Sequence, residues 1–130
     1  MLNKFRLAFF TFILLSCCFC FADDALRLLE EPVDPTHIEV IKGQIISDYL
    51  KKAASVTIEY MPAHDEARFI YTCPSALFEQ SNAMLAIKEC VSSFIKDRGY
   101  YFYTYLKADD TRYANNGDSA VYTSYIKLLH

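Results

Sequence analysis

The spacing of apolar residues changes several times along this chain, and each change marks an element. Between Thr36 and Ala54, Ile38, Ile41, Ile45 and Tyr49 recur at helical intervals, while Lys42, Asp48, Lys51 and Lys52 fall off the stripe. Thr36 and Glu39 have the spacing of a capping box, in which each side chain satisfies a free amide of the first turn. Gly43 weakens this predicted helix without breaking it. From Ser55 the period drops to two. Val56, Ile58 and Tyr60 alternate with Thr57, Glu59 and Met61, and after Pro62-Ala63-His64-Asp65 the alternation resumes in Ala67, Phe69, Tyr71 and Cys73. Two such runs around a short connection predict a β-hairpin.

The helical period returns from Asn82 to Lys96, where Met84, Ile87, Val91 and Phe94, flanked by Ala83, Cys90 and Ile95, make a wide apolar face. Gly99 supplies the C-terminal stop. Tyr100 to Lys107 reads as a strand with Tyr100, Phe102, Thr104 and Leu106 on one side and Tyr101, Tyr103 and Tyr105 on the other. The polar stretch from Ala108 to Asp118, with its Asn116-Gly117 turn signal, reads as a loop, and Ser119 to Leu129 as the last strand. The predicted order is α-β-β-α-β-β: a small α+β domain with a four-stranded antiparallel sheet and both helices on one face. The uncovered sheet face is the first place to look for a binding surface.

The front of the chain has a different character. Lys4 and Arg6 precede an unbroken apolar run from Leu7 to Ala22, which ends in Cys20-Phe21-Ala22 before Asp23-Asp24. A basic start, an apolar stretch shorter than the roughly 20 residues of a bilayer crossing, and small residues at the end are the layout of a cleaved secretory signal of bacterial style. The expected organisation is a signal peptide over 1–22, a leader over 23–35 interrupted by Pro32 and Pro35, and the domain over 36–130. A competing pattern, Leu14-Leu15-Ser16-Cys17, resembles a lipobox and would make Cys17 a lipidated N-terminus. Its second position is an imperfect Leu and it leaves an apolar mature start, so cleavage after Ala22 is preferred. The protein is expected to be exported, to the periplasm or outside the cell, with no membrane span after cleavage.

Cleavage alters the charge and the cysteine count. Loss of Lys4 and Arg6 takes the 13 basic residues to 11 against 16 acidic ones, a net charge of −5. Such a balance argues against nucleic acid and anionic lipid, both of which need a basic stripe. Of the five cysteines only Cys73 and Cys90 remain, and an oxidising compartment favours a disulfide between them. A helix unbroken from Ser75 would carry Cys90 out of reach, so the bridge requires Pro74 to Gln80 to fold back before the main helix starts.

Chemistry is sparse. Cys73 at a strand end with His64 in the adjoining turn is the one candidate nucleophile and base, and a structural half-cystine with a solvated histidine is the preferred reading of the same residues. His64-Asp65-Glu66 point apart, and Asp109, Asp110 and Asp118 lack calcium-loop spacing, so neither metal nor cofactor is expected. The tyrosines are more informative. All ten follow Ala22, and seven fall between Tyr100 and Tyr125. Tyr101, Tyr103 and Tyr105, with Tyr125 from the last strand, are the candidate binding residues, because tyrosine offers large contact area at low entropic cost. The same tyrosines read as well, and by a small preference first, as a cross-strand ladder or the core face of the sheet. The expectation is a small exported binding protein of inhibitor, immunity or envelope-accessory type, held by a disulfide, with a protein or peptide partner. A secreted enzyme built on Cys73 and His64 is the alternative.

Overall fold

The structure is a computed structural model that describes residues 33–130; the expected signal peptide and most of the leader lie outside the described residues. The class is the expected α+β, with antiparallel pairing throughout, but the sheet has six strands rather than four. In chain order the elements are β1 (Glu39–Lys42), α1 (Asp48–Ala53), β2 (Ser55–Met61), β3 (Glu66–Pro74), α2 (Gln80–Arg98), β4 (Phe102–Tyr105), β5 (Asp110–Ala114) and β6 (Ser119–Leu129), with single 3-10 turns at Pro62–His64, Ser75–Leu77 and Asn115–Gly117. Across the sheet the strands run β1-β2-β3-β6-β4, and β5 also pairs with β6.

The largest correction is at the start. The helix expected over 36–54 is instead strand β1, a bend, and the six-residue helix α1. Asp34 explains part of this, because its Oδ1 accepts from the Thr36 amide at 2.8 Å and from the Thr36 hydroxyl at 2.7 Å, closing a turn where a helix cap was expected. Glu39 is drawn away from any capping role to an ion pair with Arg98 of α2, 2.7 Å long. Ile38, Val40 and Ile41 are β-branched and suit a strand beside β2. Gly43 has a specific reason to be glycine: a Cβ there would meet Val56 Cγ1 at 2.9 Å and Cys90 Sγ at 3.1 Å, so the chain passes over the core only as bare backbone. Of the expected stripe, Ile45 is buried, but Ile38 and Tyr49 are exposed.

The hairpin β2–β3 forms as predicted, with Tyr60 opposite Ala67 and Ile58 opposite Phe69. Helix α2 extends the expected 82–96 by two residues at each end and stops at Gly99, which adopts a left-handed φ of 77° while the Tyr100 amide returns to the Ile95 carbonyl at 2.9 Å. This helix crosses from β3 to β4 and leaves space for β6 to run antiparallel between them. Phe69, Tyr71, Ile126 and Leu128 from the sheet meet Ile87, Val91 and Phe94 of α2 in one core, and Ile45 and Leu50 bring α1 onto the same side. The second hairpin holds the other correction. The stretch read as loop contains β5, which pairs with the first half of β6 while β4 pairs with the second half. Residues 106–109 lie between them opposite Ser124 and Tyr125, a bulge that splits one long edge strand into two.

The expected Cys73–Cys90 bridge is not made; both thiols are free and buried. Helix α2 runs unbroken from Gln80, so Cys90 lies about 15 Å along it at ~1.5 Å per residue. There Cys90 Sγ meets the Gln44 carbonyl at 3.2 Å, while Cys73 sits at the end of β3 opposite Ala120.

Candidate functional site: the aromatic edge of the sheet

The sheet face away from the helices is not the apolar surface that an uncovered face suggests. Thr57, Glu59, Arg68, Thr72, Thr123 and Lys127 point there beside Met61, Ile70 and Val121, and Arg68 pairs with Glu59 at 2.8 Å across β2 and β3. It is a mixed face, in which threonines and an ion pair break up the apolar residues and Thr123 is buried. Tyr125 lies on it, with the Lys107 ammonium 3.7 Å from its ring centroid.

The other candidate tyrosines part from Tyr125. Tyr103 pairs with Leu128 and Tyr105 with Ile126, so both side chains turn toward the helix side of the sheet. Their rings meet edge to face at 5.9 Å, with Tyr103 packed on the core and Tyr105 46% exposed. Burial, then the neighbouring Tyr103 and Asp109, raise the Tyr105 pKa, so its hydroxyl keeps its proton and can donate. Tyr101 precedes β4 and is 75% exposed, its amide donating to the Leu129 carbonyl at 2.9 Å. The structure therefore groups Tyr101, Tyr103 and Tyr105 along one edge and places Tyr125 on the opposite face.

Three residues, Phe102, Leu106 and Leu129, were not among the candidate binding residues. Phe102 is 68% exposed and pairs with the exposed Leu129, and Leu106 at the bulge is 49% exposed. The run from Tyr100 to Leu106, interrupted only by Thr104, was the available signal, because a half-buried strand would have alternated with polar residues. On the helix side, Met84 and Lys88 of α2 face Tyr103, Tyr105, Lys107 and Asp109 across a groove of about 660 Å³. Asp109 is fixed there by accepting the Tyr122 hydroxyl on Oδ2.

Tyr100 anchors this edge from below. Its hydroxyl donates to Asp65 Oδ1 at 2.6 Å and lies 2.7 Å from the Tyr60 hydroxyl, and its ring stacks on His130 with centroids 4.4 Å apart. Burial and the bond to Asp65 push its pKa far above the usual phenol value. A buried Tyr100 beside an exposed Tyr101 fixes how the chain enters β4.

The three edge segments of the sheet differ in their protection. Edge strands expose unpaired amides and carbonyls, and they are normally blunted by charge, proline or brevity. Strand β1 carries Glu39 and Lys42, and β5 carries Asp110 and Arg112, which pair with each other at 3.1 Å. Strand β4 reads Phe-Tyr-Thr-Tyr, with no charge and no proline.

The candidate enzymatic pair does not assemble. His64 precedes β3 and Cys73 lies near its far end, about 24 Å apart at ~3.4 Å per residue. Cys73 is buried, and burial raises its pKa; burial and then Glu89 push Cys90 up to about 11. His64 Nε2 lies 3.1 Å from the Pro35 carbonyl. Among the described residues no three His, Cys, Asp or Glu side chains converge as a metal-ligand set. Compared with protein-family models, curated proteins and solved structures, the chain matches none.

Proposed function

We propose that this protein is exported and acts by binding another polypeptide through the β4 edge, rather than by catalysis. The observation that carries this reading is the contrast between edges: β4 alone among the edge segments is uncharged, it carries the exposed Phe102, and it is bordered by the exposed Tyr101 and Leu106. Main-chain amides of a free strand give affinity to an added strand, and flanking aromatic side chains give it selectivity. The partner is a protein segment in extended conformation, in the envelope or outside the cell. Tyr101, Tyr103 and Tyr105 contribute through this edge, and Tyr125 lies off it. The cleaved front end supplies the compartment, so the mature N-terminus is Asp23.

A photo-crosslinking residue placed in turn at Phe102, Tyr105 and Thr57 in producing cells tests this. Discrete protein adducts are expected from Phe102 and Tyr105 and not from Thr57, which lies on the mixed face. Equal adducts from all three positions, or none from the edge, would refute the reading. N-terminal sequencing of the exported protein checks the cleavage site.

A further inference from the structure

The β4 edge is complementary to itself, and we infer that its occupant is a second copy of this chain, joined antiparallel about a twofold axis through Thr104. This rests on the edge reading above and names the partner. The register follows from the backbone. The Leu106 amide donates inward to the Tyr125 carbonyl at 2.9 Å. Within β4 inward and outward amides alternate, and the register that sets Leu106 opposite Tyr125 turns those of Tyr103 and Tyr105 away from β6, without a partner among the described residues. The inward Tyr101 amide precedes the strand and lies outside this alternation.

An added β4 that overlaps all four strand residues places Tyr103 opposite Tyr105 of the second copy in a hydrogen-bonded pair and Thr104 opposite Thr104 in a non-hydrogen-bonded one, whereas twofold pairings centred on Tyr103 or Tyr105 align the same outward amides over a shorter overlap. The register centred on Thr104 also sets Phe102 against Leu106. Every facing pair then lies on the same side of the joined sheet, as antiparallel pairing requires. Shifting it by one residue would set Tyr103 against Thr104 and Phe102 against Tyr105, which point to opposite faces. The tyrosines of the two copies complete an aromatic cluster on the helix side, over Met84 and Lys88 of each groove.

The size is sufficient. Tyr101, Phe102, Tyr105 and Leu106 are 75%, 68%, 46% and 49% exposed. At roughly 200 Å² per side chain they offer up to about 480 Å² per copy, or about 950 Å² for the pair. The strand backbone, Thr104 and Lys107 carry the total past the roughly 1,000 Å² that a specific interface needs, with about four new backbone hydrogen bonds across the seam.

Position 104 tests the inference, because Thr104 is exposed and its side chain contributes nothing to the core. In sedimentation velocity the purified protein should run as a dimer at micromolar concentration. Thr104→Lys and Thr104→Glu should each weaken the dimer tenfold or more by facing like charges, and an equimolar mixture of the two should restore it. Thr104→Cys should form a covalent dimer on mild oxidation, because facing Cβ atoms in such a pair lie within about 5.5 Å. A wild-type protein that stays monomeric at 100 µM, or charge variants that do not rescue each other, would overturn the inference. If Phe102 crosslinks to a different protein while the purified chain is monomeric, the second copy is refuted and the edge reading survives; if neither assembly nor crosslinking occurs, both fail.

Discussion

Removal of one oxygen atom, by Tyr100→Phe, tests how the β4 edge is held. The ring would remain in place, so no cavity opens; only the hydroxyl between Asp65 Oδ1 at 2.6 Å and Tyr60 at 2.7 Å is lost. With the Tyr100 proton committed to Asp65, the Tyr60 hydroxyl donates to Tyr100. A bond to a carboxylate contributes about 1.5–3 kcal/mol, and the abandoned Tyr60 hydroxyl, which is buried, adds up to about 1–3 kcal/mol because it keeps its desolvation cost without a partner. The two effects overlap, and the expected loss is about 2–3 kcal/mol, a large part of the ~5–15 kcal/mol that holds an ordinary domain. In urea titration followed by circular dichroism the midpoint should fall by about 1–2 M with unchanged slope. The double variant Tyr60→Phe/Tyr100→Phe should cost less than the two singles together, since removing both hydroxyls leaves no orphan between them. A loss below about 0.5 kcal/mol, or strict additivity, would show that the Tyr60–Tyr100–Asp65 chain does not anchor the edge.

Two further outcomes follow from buried groups. Cys73 and Cys90 should resist a thiol reagent in the native protein and both react in denaturant, read by peptide mapping; a mass deficit of about 2 Da with neither labelled would restore the disulfide. Stability should decline at alkaline pH. Burial, then Cys73, raises Tyr71 to about 12, and burial, then Glu89, raises Cys90 to about 11, so the folded chain keeps protons that the unfolded chain has released above its ordinary thiol and phenol pKa values. Each such group removes about 1.4 kcal/mol of stability per pH unit between its unfolded and folded pKa, and a melting temperature that stays flat from pH 9 to pH 11.5 would refute this.

The parts of the fold legible in the sequence were those where pattern and local chemistry agree. Val56 to Tyr60 and, apart from Ile70, Ala67 to Cys73 alternate and form the hairpin, and Gly99 ends α2 where a left-handed residue was required. The expected first helix failed because Ile38, Ile41 and Ile45 fit a helical stripe and a strand-plus-bend equally well. Pairing of Ile41 with Ile58, and the contact of Gly43 with Val56 and Cys90, decide between them, and both are tertiary facts. Strand β5 was hidden by its polarity: Asp110, Thr111 and Arg112 read as loop because an exposed edge needs no apolar alternation. The tyrosines were visible as a group, but their division between faces was not, because the bulge at 106–109 and the pairing with β6 set it. Tyr125 consequently belongs with Lys107 and the mixed face, away from Tyr103 and Tyr105.

The arrangement of edges also bears on how far the inferred pairing through so apolar a strand would extend. An uncharged edge templates further strands, and if both edges of a sheet were like β4 the result would be an open fibre. Here the opposite edge, β1, is four residues long and carries Glu39 and Lys42, and Glu39 is held by Arg98. Among the described residues β4 is the one uncharged edge segment, and the inferred twofold contact through Thr104 would occupy it on both copies at once, so assembly would close at two. The bulge contributes to the same end by confining the sticky segment to four residues and passing the rest of the edge to the charged β5. It follows that Lys42→Val together with Glu39→Val, which strips the charge from β1, should turn a closed dimer into higher assemblies that scatter light and grow with concentration. The same pair of substitutions placed on a Thr104→Lys background should grow far less, because extension through both edges requires the seam at β4.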